Sequence, residues 1–180
     1  MDKVFDVKVF DPRWRTDEDL DEKARRLDIV VQEAIDGGKQ PLVVAVSAGA
    51  ALMMAYLLTP EYHHKIRHGY SVSGLLNPDL NSLDLSHLTT TSPGFEQVAR
   101  FLTKNLTQEV IEALHLPEKI SAYNSPDDTV VPQQASHPSW IKNENFHNIG
   151  RGDHLESIAR ALIPDIVSQV RELKQNARFD

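Results

Sequence analysis

Along the first ten residues, Val4 to Phe10 alternates apolar side chains with Asp6 and Lys8, the period of a half-buried strand, and Asp11-Pro12 ends it. Thr16, followed by Asp17, Glu18 and Asp19, is placed to cap a helix whose first turn favours acids. Leu20, Ala24, Leu27, Val31, Ala34 and Ile35 then recur at spacings of three and four, so they share one stripe of that helix. Gly37-Gly38 stops it. Leu42 to Val46 is a continuous, β-branched run and predicts a strand buried on both faces, as in a parallel sheet covered by helices. Ala48 to Leu58 is apolar nearly all round, which predicts a deeply buried helix closed by Pro60.

The alternation continues. Gly69 to Ser73 predicts a short strand, Phe95, Val98, Ala99 and Leu102 a helical stripe, and Val110 to Leu114 a second short helix. Lys119 to Asn124 predicts a strand, followed by the turn-rich Ser125-Pro126-Asp127-Asp128, and Asn145 to Ile149 predicts the last strand. Ile158, Leu162, Ile166, Val170 and Leu173 form a C-terminal helical stripe that Pro164 should kink or divide into two abutting helices. The polar stretch from Asn77 to Thr91 has no clear period and reads as a flap over a site. Strand–helix alternation of this kind predicts one domain, residues 1–180, of the α/β class: three layers, with a mainly parallel sheet and helices on both faces.

Composition narrows the partners. The 180-residue chain carries 19 Lys and Arg against 26 Asp and Glu, a net charge of −7, with no basic cluster. Without such a cluster there is no counterion release to drive nucleic-acid binding. The absence of cysteine excludes disulfides, thiolate metal sites and a Cys nucleophile. The N-terminus lacks an apolar segment of the export type, so a cytoplasmic location is expected. Pro41 to Leu58 contains no charge, but Ser47 and Gly49 interrupt it, and its character changes there from β-branched residues to Ala, Leu and Met. Strand, turn and buried helix is the reading, and no membrane association is expected.

Three segments could carry chemistry. In Ala45-Val46-Ser47-Ala48-Gly49 a serine sits on a tight strand-to-helix turn, flanked at two before and two after by small residues. Such a turn pushes the hydroxyl out of the sheet, and the following helix N-terminus offers free N–H groups to a developing oxyanion. The same residues would also suit close strand–helix packing with Ser47 as a cap. Asp127 and Asp128 lie just past a predicted strand, on the edge where open α/β sheets place ligands. One can orient a histidine while the other bonds its own turn. His154, in Gly150-Arg151-Gly152-Asp153-His154, follows the last predicted strand and can swing to that edge or stand in solvent.

Taken in order, Ser47, Asp128 and His154 give nucleophile, acid and histidine, each after a strand. On AVSAG around Ser47, the D-x-V-V-P run of Asp128 to Pro132 and Gly152-Asp153-His154, the chain resembles the α/β-hydrolase superfamily, in particular its small lidless or near-lidless serine hydrolases. The resemblance spans most of the chain. It implies Ser47 as nucleophile, Asp128 as acid and His154 as base, and Asp128 rather than Asp127 because of its offset to Val131-Pro132. It further implies hydrolysis of an ester, thioester or related acyl bond of a small molecule, with no metal or organic cofactor.

Two departures stand out. Ala45 occupies the position where the family more often has Gly. The family's earlier strand and Gly-rich loop, source of a second oxyanion donor, do not precede Val4 in this sequence, so the Ala48 N–H is the one donor it names. The rival reading is a hydrolase-fold binding or scaffold protein without turnover, and a sheet lacking its first strand would expose an edge and invite a homo-oligomer. His63, His64 and His68 cluster, with His64 and His68 at a helical metal-pair spacing, but their charged, Pro- and Gly-bracketed segment reads as a surface loop. Lys8, Arg13 and Trp14 could touch a substrate, Trp14 equally the core.

Overall fold

The computed structural model describes residues 6–77, 93–162 and 167–168. Helix α1 (Leu20–Asp36) leads to strand β1 (Leu42–Val46), helix α2 (Ala48–Leu58) and strand β2 (His68–Val72). Helices α3 (Pro93–Asn105), α4 (Gln108–Ala113) and α5 (Leu116–Lys119) precede strand β3 (Ile120–Asn124). A short helix α6 (Gln133–Ser136), a 3-10 turn (Asn143–Asn145), strand β4 (Phe146–Asn148) and helix α7 (His154–Leu162) complete the described chain. The four strands form one parallel sheet in the order β1-β2-β3-β4, in register Ala45↔Ser71, Ser71↔Ala122 and Ala122↔Phe146.

Alternation along the strands divides the core into two clusters. On one face Val43, Ala45, Ile120, Ala122 and Phe146 pack with α1, α2 and α3. On the other, Leu42, Val46, Tyr70, Val72 and Tyr123 pack with Ile149 and Ile158 of the C-terminal helix region. Helices therefore cover both faces, the three-layer arrangement expected. Helix α2 lies deepest, with Ala50 to Leu57 all buried, because a helix apolar all round has no side to give to solvent. It approaches the sheet closely at β2, where Gly69 leaves room for Met53: a Cβ there would sit 2.7 Å from Sδ.

The ends of α1 follow from local chemistry. Its N-cap is Asp19, which accepts the Glu22 N–H at 2.8 Å, and not Thr16. Thr16 is used instead in a turn, bonding Arg13 O through both its N–H and its hydroxyl. At the other end Gly38 takes φ +71°, and the N–H groups of Gly38 and Lys39 reach back to Ile35 O and Ala34 O, the two bonds of a Schellman stop.

Two strand expectations are corrected. Residues 6–10 form no strand: Val7 and Val9 are 80% and 95% exposed. The segment runs beside α1 instead, with Asp6 paired to Lys39, Lys8 to Glu33, and Phe10 under the Arg26 guanidinium. Strand β1 is also not buried on both faces. Among the described strands it lies at the edge of the sheet, only Ala45 is buried, and Val44 is 41% exposed. An apolar run reports that a strand prefers burial, whereas its neighbours depend on sheet order. The remaining elements sit within a few residues of expectation. Val4 and Phe5, residues 78–91 of the polar stretch, Pro164, Ile166, Val170 and Leu173 lie outside the described residues, as do the side chains of Phe95, Ala99 and Leu162.

Candidate active site

In a parallel sheet all strands end at one rim, and here that rim is laced together one residue beyond each strand. Ser47 N–H bonds Val72 O at 2.9 Å, Ser73 N–H bonds Tyr123 O at 2.8 Å, and Ile149 N–H bonds Asn124 O at 3.2 Å. The loops that follow the strands are thereby anchored side by side.

Ser47 occupies a strained turn, φ +51° and ψ −124°, a conformation disfavoured for any residue with a Cβ. Its hydroxyl does not cap α2. It faces His154 instead, with Oγ 3.1 Å from Nε2, and His154 Nδ1 lies 2.9 Å from Asp128 Oδ2. An ionised carboxylate only accepts hydrogen bonds, so Nδ1 carries the proton and Nε2 presents its lone pair to the serine hydroxyl. The three groups predicted from the sequence thus form one hydrogen-bonded chain spanning 107 residues between Ser47 and His154. The Asp128 side chain is fully buried and that of His154 is 13% exposed. Asp127, by contrast, is half exposed and lies 4.0 Å from Arg151.

Asp128 is held by its own turn. Its N–H bonds Ser125 O, and Oδ1 accepts the N–H groups of Val130 and Val131 at 3.0 and 2.9 Å. Burial by itself pushes this carboxyl up, but the hydrogen bonds from His154 and the Val131 N–H, the His154 charge and the Ser73 hydroxyl together hold it below the ordinary carboxylate value. Ser125, also buried, joins the two loops: its Oγ accepts Asp127 N–H at 3.2 Å and Gly152 N–H at 3.1 Å.

Behind this loop sits Asn124, the last residue of β3, which the sequence marks only as the end of a strand. Its amide donates to Val131 O at 3.0 Å and Ser136 Oγ at 2.6 Å, and its Oδ1 accepts the Ser125 N–H at 2.9 Å. The signal available was a polar residue closing an otherwise buried strand, just before the Ser-Pro-Asp-Asp turn.

The Ala48 N–H, first of α2, has no carbonyl one turn back within its helix and is available to an anion beside Ser47. The expected crowding around the serine turn is redistributed. A Cβ at Gly49 would meet nothing within 4 Å, whereas one at Gly74 would fall 2.3 Å from Ala50 Cβ and 2.2 Å from Ser71 Oγ. Close approach is demanded of Gly74, where the chain leaves β2 past Ala50 of α2, and not of Gly49.

The other candidates lie elsewhere. His68 is the first residue of β2, not a loop residue, and its Nε2 meets Ser121 Oγ at 2.9 Å. His63 bonds Pro60 O through Nδ1 and stands edge-on to His64. Lys8 and Arg13 pair with Glu33 and Glu18, and Trp14 packs against the main core. No group of three metal-ligating side chains occurs among the described residues, and no helix there is long and apolar enough to cross a membrane.

No protein-family model and no curated protein matches this chain. Solved structures do. An esterase domain from a Rhodothermus marinus protein superposes with a TM-score of 0.55 at 14% identity, over 80% of this chain and 66% of that domain. A meta-cleavage product hydrolase, CumD, superposes with a TM-score of 0.53 at 16% identity, over 94% of this chain and 76% of its own. This chain therefore has the α/β-hydrolase fold, in a form that spans just under two thirds of the esterase domain's length.

Proposed function

We propose that this protein is a serine hydrolase that cleaves an ester, thioester or related acyl bond of a small molecule. One observation carries the reading: the unbroken chain Ser47 Oγ, His154 Nε2, His154 Nδ1, Asp128 Oδ2, with links of 3.1 and 2.9 Å. As Ser47 Oγ attacks the carbonyl carbon, His154 Nε2 takes its proton, and the buried Asp128 carboxylate stabilises the imidazolium that results. Negative charge developing on the carbonyl oxygen is met by the Ala48 N–H and the positive end of α2. His154 then protonates the leaving group, and a water molecule, deprotonated by the same nitrogen, releases the acyl group from Ser47. No step requires a metal or an organic cofactor.

A fluorophosphonate probe tests this. The expected result is a single adduct on Ser47, absent from Ser47→Ala and slowed at least a hundredfold in His154→Ala. Correctly folded wild-type protein that stays unmodified after long exposure overturns the proposal.

A second reading, a hydrolase-fold binding protein without turnover, is favoured by the exposed Val44 on β1, the outermost strand among the described residues. Such an edge can accept a partner's strand. Partner binding that survives Ser47→Ala would support it.

A further inference from the structure

Asp128 and His154 stand on separate loops, 26 residues apart, and the chemistry asks that they keep one mutual geometry. Asp128 is fixed by its own turn, where Oδ1 takes two backbone N–H groups. His154 opens α7, and the cap of that helix is Asp153, whose Oδ1 accepts the Glu156 N–H at 2.9 Å. This cap fixes the helix start within its own loop, not the loop against Asp128. Ile158 packs the helix against the sheet, but apolar contact is non-directional. Besides the Asp128–His154 bond itself, the described residues join the two loops at the exposed Asp127–Arg151 pair, 4.0 Å apart, and at Ser125.

Ser125 follows β3, is 1% exposed and is bonded on every side. Its N–H donates to Asn124 Oδ1 at 2.9 Å and its carbonyl accepts the Asp128 N–H at 3.2 Å. Pro126 after it disfavours the helical backbone, so the side chain has a fixed base. Its Oγ then accepts two N–H groups, Asp127 at 3.2 Å and Gly152 at 3.1 Å. The first is a local turn that many serines make. The second is not local. It reaches 27 residues along the chain, to a point two residues before the imidazole, in a partly buried spot where an unmet N–H is costly.

One bond to Asp128 sets the distance between Nδ1 and Oδ2 but leaves the ring free to pivot about it. A second tie, at Gly152, removes the pivot and keeps Nε2 facing Ser47 Oγ at 3.1 Å. We propose that Ser125 is a positioning residue of the active site: its hydroxyl oxygen, shared between the Asp127 and Gly152 N–H groups, binds the acid loop to the histidine loop and holds the imidazole between Asp128 and Ser47. This role rests on the reading of Asp128 and His154 as acid and base.

Ser125→Ala removes the shared acceptor, and Ser125→Cys, close in size but a weak acceptor, takes its place should the alanine variant fail to fold. Two readouts apply: the rate at which fluorophosphonate modifies Ser47, and the low-field proton resonance of His154 Nδ1, which reports its bond to Asp128. In a folded variant the limiting modification rate should fall about ten- to a hundredfold, the cost of a misplaced catalytic group. The half-saturating probe concentration should change little, because Ser125 is buried away from the probe. The Nδ1 resonance should move upfield or broaden away, and the Gly152 amide of 15N-glycine-labelled protein should exchange with solvent faster than in wild type. A folded variant whose Nδ1 resonance is unmoved overturns the proposal, whatever its rate. Should wild-type protein fail to react with fluorophosphonate, the hydrolase reading falls and the resonance alone decides: its loss in the variants supports the positioning role, and its persistence overturns it.

Discussion

Asp128 and Asp127 are neighbours of identical chemistry, and their environments make them opposites. One is wholly buried among donors, the other half exposed beside Arg151. Asp128→Asn keeps the shape but replaces an acceptor with an amide whose NH2 group faces either the Val130 and Val131 N–H groups or His154 Nδ1. The imidazole would then be driven toward the wrong tautomer. Acyl-bond hydrolysis should fall about 10³–10⁴-fold, with Asp127→Asn within a few-fold of wild type. Steady-state kinetics on an activated ester reads both, and equal losses in the two variants would remove Asp128 from its role. Ser47, Asp128 and His154 were legible because each follows an apolar run that announces a strand. The partner of Ser73 was not, because Asn124, whose Oδ1 accepts its hydroxyl, lies 51 residues further along the chain. No local pattern carries that information.

Among the elements, the tightest packing is between α2 and the exit of β2. Gly74→Ala would drive a methyl group into Ala50 of a rigid, buried helix and into the Ser71 hydroxyl, and should destabilise the fold by about 1–3 kcal/mol. Gly49→Ala, with open space around its Cβ, should instead stabilise by a few tenths to about 1 kcal/mol through helix propensity. Urea titration of both variants measures the contrast, and a Gly49→Ala protein as weak as Gly74→Ala would refute this account of the serine turn. Helix periods predicted α2 to the residue and the stripe and end of α1, since a helix's buried stripe is encoded within the helix, while the start of α1 fell three residues later than its expected cap. Strand neighbours are not encoded that way. Val4 to Phe10 has strand alternation, yet residues 6–10 lie along α1, and Leu42 to Val46 reads as central yet forms an edge.

For the molecule as a unit, the partly buried His68 and the buried Asp128 should shape the response to acid. Burial first, and the Arg67 charge second, depress His68 to about 4. Between the unfolded value near 6.5 and about 4, the unfolded chain binds a proton that the native protein refuses. Stability should therefore fall as pH drops through that window, by up to about 3 kcal/mol. Asp128, held below its unfolded value, adds stability that is complete above about pH 4 and lost as pH falls further. Denaturation midpoints from pH 7.5 to 4 should show the first loss in wild type and a flatter curve in His68→Gln, which keeps a polar partner for Ser121 without a titrating ring. Identical curves would mean that His68 is not the responsible group.

Residue order specified an alternating α/β chain, the tight serine turn and, through the resemblance to α/β-hydrolases, the three side chains that the fold brings into hydrogen-bonding reach, because burial stripes, turn residues and strand ends are short-range properties of the backbone. Sheet order, the outermost place of β1 among the described strands, the choice of Gly74 over Gly49 as the point of closest approach, and the donor cage around Asp128 came from folding. Each depends on which distant segments share a wall, and that is settled by packing the whole core at once.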